Sequence, residues 1–182
     1  MIDLTKEQID CALLRVEDGL RKYLSLQDSL ENVDVSKDQD FQKRFNHFYR
    51  IRRNRNWQSQ FYKLLQEKKK KGVAFAYALK TINRNTGRLE ASFASKLVAT
   101  IHPDKPVIDK FVLDNADLKL PYSSANDREA KILSVYNLLQ KRIEDFLITE
   151  NGAYLVRRFR EKYPKEKITN MKMADLVLWQ AR

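Results

Sequence analysis

Two residues thirteen positions apart carry side chains suited to covalent or acid–base chemistry: Lys96, in ASFASKLVATI, and Asp109, in KPVIDKFVL. An amine and a carboxylate that face one cleft beside a basic surface are equipped for chemistry on a sugar carbon. The amine is a nucleophile only when neutral, which needs a pKa lowered by burial or by neighbouring cations. An ionised carboxylate stabilises positive charge developing on the sugar and can orient or deprotonate the attacking group. Asp109 also stands where a helix N-cap belongs, ahead of Phe111, Val112 and Leu113, and capping is the commonest duty of an Asp there. Lys96 in turn has a plain alternative as a phosphate contact or a surface residue.

The partner for such chemistry is indicated by charge. Residues 42–71 hold eleven Lys and Arg against one acid, Glu67, so this stretch carries +10 of the chain's net +11. The first forty residues, with ten acids and five bases, sum to −5. Arg50, Arg52, Arg53 and Arg55 lie too close in sequence to share one helix face, so some must wrap around a helix end. Their planar forks match phosphate oxygens. With Lys68, Lys69, Lys70 and Lys71, and with Lys105 and Lys110 beside the Pro-bounded loop, they form the candidate DNA-binding set. Double-stranded DNA is the expected partner, bound with a steep salt dependence. A solvated basic helix face is the alternative. Trp57, Phe61 and the C-terminal Trp179 are candidate walls for a base pocket, though the spacing of the first two also matches a buried helix stripe.

The elements that must position these groups are all helical. Thr5-x-x-Gln8 reads as a capping box opening a helix over about 5–25, with Ile9, Leu13, Val16, Leu20 and Leu24 on one face. Ser36-x-x-Gln39 caps a second helix bearing Phe41, Phe45, Phe48 and Ile51. A third spans about 55–70 and ends at Gly72, and a short one over 73–83 closes in the turn Asn83–Gly87. The Lys96 helix follows at 88–101. Pro103 and Pro106 then bracket a rigid connection, in which Val107 and Ile108 tuck inward and Asp109 opens the next helix. A long helix at 127–148 is broken by Asn151-Gly152, and helices at 153–162 and 170–181 complete the chain, the last capped by Thr169. No segment alternates with period two. The fold class expected is all-α, with eight or nine helices in one domain: an acidic helical part at 1–40 and a core over 41–182.

Bulk composition removes several classes. At 43% hydrophobic residues the chain is able to fold,. One Cys, Cys11, rules out an intrachain disulfide and Cys-based metal sites,. His47 and His102 alone do not make a metal centre. No apolar run reaches a membrane span. The expectations are a soluble, cytoplasmic monomer with neither metal nor cofactor. His102-Pro103-Asp104-Lys105 also occurs in J-domain co-chaperones, but the aromatic-rich third helix expected after it is missing.

Three segments, HFYRIRRNRNWQSQFYKLL, EASFASKLVATIHPDKPVIDKFVL and MKMADLVLWQ, resemble the helix-hairpin-helix DNA glycosylases, and most closely the bacterial 8-oxoguanine-DNA-glycosylase-like proteins. The likeness runs from about residue 40 onward. It implies an enzyme that flips a base from the duplex and cuts its N-glycosidic bond. Asp109 matches the family's aspartate, and Lys96 is the best match for its lysine. The chain departs from the pattern in two places: only Gly87 stands where a glycine-rich hairpin is usual, and the Lys96–Asp109 separation is shorter. If Lys96 attacks, a Schiff base and strand cleavage follow; if water attacks, the product is an abasic site. The expected target is an oxidised purine or a naturally modified base, including one from phage DNA, in repair or defence. A non-catalytic DNA-binding module and a helical protein-interaction module are the alternatives.

Overall fold

The computed structural model describes residues 1–181, and every regular element among them is an α-helix. There are ten helices among the described residues: α1 (Lys6–Leu13), α2 (Glu17–Leu30), α3 (Gln39–Tyr49), α4 (Arg55–Lys68), α5 (Phe75–Thr86), α6 (Ala91–Ile101), α7 (Lys110–Asn115), α8 (Arg128–Leu147), α9 (Glu150–Lys162) and α10 (Asn170–Gln180). They fall into two compact units. Met1–Glu17 joins the chain from Pro103 onward in one, and Asp18–His102 forms the other.

The middle unit is organised around α6, whose residues 94–100 are buried on every side. Helices α4 and α5 pack on it. Phe41, Phe45 and Tyr49 of α3 meet Phe61 and Tyr62 of α4 in an aromatic cluster, with Phe45 5.7 Å from Phe61 and 5.8 Å from Tyr62 between ring centres. Each large apolar side chain so buried contributes about 1.5–3 kcal/mol. The Tyr62 hydroxyl donates to Asn46 Oδ1 at 2.7 Å. Burial pushes its pKa up, which keeps it a donor,.

The unit built from the two chain ends is organised around α10, buried from Met171 to Leu178 and packed by α1, α7, α8 and α9. Thr169 caps α10, accepting from Lys172 N–H, as its position predicts. No helix among the described residues is long and apolar enough to cross a membrane.

Several boundaries differ from the sequence reading, each for a local reason. The helix expected over 5–25 is two helices. Arg15 N–H turns back to Ala12 O at 2.9 Å, and Lys162 Nζ takes the Leu13 carbonyl at 2.7 Å, so the chain breaks before Val16. Ser36 does not cap α3: its hydroxyl donates to Asp34 Oδ1, and Asp38 accepts from Phe41 N–H instead. Helix α5 runs past Asn83 to Thr86, ending at Gly87, whose φ of 68° suits a left-handed cap,. Asn151-Gly152 is no break. Thr149 is the N-cap, and both residues sit in the first turn of α9. Gly152 is required there, since a Cβ on it would lie 2.0 Å from Phe146 O.

A basic cavity, a capped lysine and a pinned aspartate

Asn54 opens α4 by accepting from Trp57 N–H at 2.9 Å. The turn that brings the chain into this cap carries Arg52 and Arg53. Asn85 and Arg88 stand at the end of α5. Together Arg52, Arg53, Asn54, Trp57, Asn85 and Arg88 wall a cavity of about 300 Å³ within the middle unit. Its guanidiniums are not equivalent. Arg53 donates to Glu90 Oε1 through Nε at 2.8 Å and lies 2.6 Å from it through Nη2, with its plane 5.1 Å from the Phe93 ring centre. Arg52 and Arg88 are exposed, and neither side chain has a hydrogen bond or ion pair among the described residues. Trp57 is 5% exposed, stacked on Phe61 at 5.2 Å and tilted against Phe93 at 4.9 Å. Its indole N–H is buried without an acceptor.

The other basic candidates divide the same way. Arg50 is exposed and ends α3 in the left-handed region, with φ 53°. Arg55, the first residue of α4, is exposed, as are Lys70, Lys71 and Lys110. Lys68 lies on Glu67 at 2.8 Å and over the Tyr77 ring at 4.5 Å. Lys69 is buried. Its Nζ donates to Leu30 O at 2.9 Å and Val33 O at 2.6 Å, where α2 ends. Lys105 sits 3.4 Å from Gln140 Oε1 and 3.9 Å from Asp104.

Lys96 follows the pattern of Lys69. Its side chain is buried in the middle unit, and Nζ donates to Tyr49 O at 3.0 Å and lies 5.1 Å from the Phe93 ring centre. Tyr49 is the last residue of α3. Carbonyls at a helix C-terminus lack intrahelical donors and carry the negative end of the helix dipole, so an ammonium there is doubly favoured. Lys162 does the same for α1, and Arg142 for α7, donating to Ala116 O and to Asp117 O. A share of the basic residues therefore closes helix ends.

Asp109 belongs to the other unit. It is half-buried at the N-cap of α7, with Oδ1 accepting from Phe111 N–H at 3.0 Å. Val107 and Ile108 before it are buried. Val107 N–H donates to Asp175 Oδ1 at 3.4 Å, and Asp175 Oδ2 pairs with Lys172 Nζ at 2.8 Å. Further back, the Thr169 hydroxyl donates to Pro103 O. The loop carrying Asp109 is thus tied to α10 at two points. Tyr136 lies near the same pair; burial raises its pKa, Asp104 and Asp175 add to the rise, and Lys172 opposes it. Trp179 is half-buried on α10.

The cavity gathers Arg52, Arg53 and Trp57 among the sequence candidates. Phe61 is not part of its wall; it is 1% exposed and belongs to the aromatic core. Lys96 and Asp109 fall in separate units, the division coming at His102–Pro103. Sequence reasoning missed Arg88, Glu90 and the Lys172–Asp175 pair. The last had a signal: Lys-x-x-Asp within MKMADLVLWQ puts two charges on an otherwise apolar helix, a position that demands pairing. Among the described residues no cluster of three or more His, Cys, Asp and Glu side chains is placed to hold a metal ion. No family model, curated protein or solved structure matches this chain.

Proposed function

We propose that this protein is a DNA glycosylase that flips a damaged or modified base from duplex DNA and hydrolyses its N-glycosidic bond. The observation that carries the reading is the arginine-walled cavity in the segment of greatest positive charge. Exposed Arg50, Arg52 and Arg55, with Lys70 and Lys71 past the far end of α4, supply phosphate-binding charge, which offsets the few kcal/mol that base extrusion costs,. Asp109 is the catalytic carboxylate. Its loop is held through Val107 and Asp175, which suits a group that must meet an oxocarbenium-like sugar without reorganising,.

The hydrogen bond from Lys96 to Tyr49 O favours attack by water over attack by lysine. Water then adds to the sugar carbon: its hydroxyl stays on the sugar, its proton leaves with the base, and an abasic site remains. Lys96 serves as a helix cap. The target class is an oxidised purine or a naturally modified base, including one from phage DNA.

An excision panel tests this. Purified protein is incubated with duplexes carrying single damaged or modified bases, and alkali reveals abasic sites. At least one substrate should be cut after alkali and not before it. Tight, salt-sensitive binding with no abasic site on any substrate would favour the second reading, a non-catalytic DNA-binding module. That reading draws support from the structural duties of both Lys96 and Asp109, a helix C-terminal cap and an N-cap.

A further inference from the structure

We infer that the cavity between the start of α4 and the end of α5 is a seat for a nucleotide phosphate ester, with Arg52 and Arg88 as the binding guanidiniums. The inference rests on the DNA-binding part of the reading above and narrows it from a basic face to one site. Three guanidiniums and one carboxylate, Glu90, leave the cavity and its rim at +2 (+3 − 1). Glu90 is engaged by Arg53, which fixes Arg53 as wall. Arg52 and Arg88 then face one cavity with no counter-charge of their own, and an anion between them removes their mutual repulsion.

The remaining lining suits the rest of a nucleotide. Asn54 and Asn85 bring amide groups, and the Asn54 carbonyl is already used in capping, which leaves its NH2 as a donor. The first-turn amides of a 14-residue helix, α4, add partial positive charge at the same place,. Trp57, 5% exposed and packed on Phe61 and Phe93, contributes a small part of its ring to the wall. At about 300 Å³ the cavity is at the small end of ligand sites, matching one phosphate with its sugar,. Arg52 and Arg88 lie 36 residues apart in the chain, so the seat exists only in the folded unit.

The test has two arms. In the first, thymidine 5′-monophosphate is titrated into isotope-labelled protein, and the Trp57 indole N–H resonance is followed. The chain has two Trp, so Trp179→Phe assigns it. The expected result is a saturable shift that disappears in the R52Q/R88Q double variant. In the second arm, duplex affinity is measured from low to moderate salt for wild type, R52Q/R88Q and K70Q/K71Q. The two variants lose equal charge. R52Q/R88Q should weaken binding at least tenfold and reduce the log–log salt slope by about 1–2, with a smaller loss for K70Q/K71Q.

Equal losses in both variants, with no mononucleotide shift, would overturn the site. A mononucleotide shift alone, with duplex binding unaffected by R52Q/R88Q, supports the seat and assigns it to a free nucleotide instead of a strand. Duplex binding absent in wild type would sink the glycosylase reading, while the first arm still decides the cavity. Both arginines are exposed, so the melting temperature of R52Q/R88Q should match wild type and confirm an intact fold.

Discussion

The Lys96 ammonium donates to the carbonyl of Tyr49 at 3.0 Å, so the side chain best suited by type to attack a sugar is placed on the C-terminus of α3. This contact converts a question of chemistry into one of stability. Lys96→Met removes the donor from a buried carbonyl at the negative end of a helix, and such losses cost about 1–3 kcal/mol. Chemical denaturation should show that loss. Borohydride should trap no covalent adduct between wild-type protein and an excised substrate; a trapped adduct that vanishes in Lys96→Gln would restore the nucleophilic role.

Asp109→Asn separates chemistry from structure. Asn caps a helix about as well as Asp, so the stability change should stay within about 1 kcal/mol. Excision should fall at least a hundredfold, with duplex affinity changed less than threefold. Excision retained by the variant would remove Asp109 from the mechanism.

The Lys172–Asp175 pair should behave as a buried ion pair. Removing one partner, as in Lys172→Met, leaves a buried carboxylate without its 2.8 Å cation and should cost about 3–5 kcal/mol,. The double variant K172M/D175L should be less destabilised than the single, because no charge is stranded. Urea unfolding of the two single variants and the double gives the coupling. A double variant as unstable as the sum of the singles would show that the two side chains act independently.

Acid stability should report on Asp10. The Tyr154 hydroxyl donates to its carboxylate at 2.7 Å and Arg158 lies at 3.1 Å; the first lowers its pKa most and the second adds to it. A carboxylate with a depressed folded pKa contributes stability that is present above its unfolded value of about 3.9 and lost as pH falls through the folded one. Asp10→Asn should therefore lower the melting temperature at pH 7, with the difference closing below about pH 4. A difference independent of pH would assign the effect to packing.

Gly152→Ala should prevent folding of the unit formed by the chain ends. The added Cβ would lie 2.0 Å from Phe146 O and 2.7 Å from Leu147 Cα, backbone atoms that have no rotamer to adopt. Gly87→Ala meets no atom within 4 Å and suffers only from its positive φ, so it should cost about 1 kcal/mol,. Circular dichroism melts of the two variants make the comparison; similar melting temperatures would refute the steric argument.

What was legible in the residues is what depends on neighbours a few positions away. Thr5, Asp109 and Thr169 cap helices because the bond runs to an amide two or three residues on. Helical periodicity placed Ile9, Phe41 and Phe45 in the core, and the +10 segment needed only counting. Tertiary structure decided where the long basic side chains end. Lys69 and Lys96 read as members of a charged surface or a reactive pair, and both finish on carbonyls of other helices, 39 and 47 residues away. Arg53 and Arg52 are adjacent, yet one is locked to Glu90 and the other faces a cavity shared with Arg88. A flexible cation goes to whatever negative charge the packing brings within its reach, and remote helix ends and carboxylates reach it only once the chain has folded.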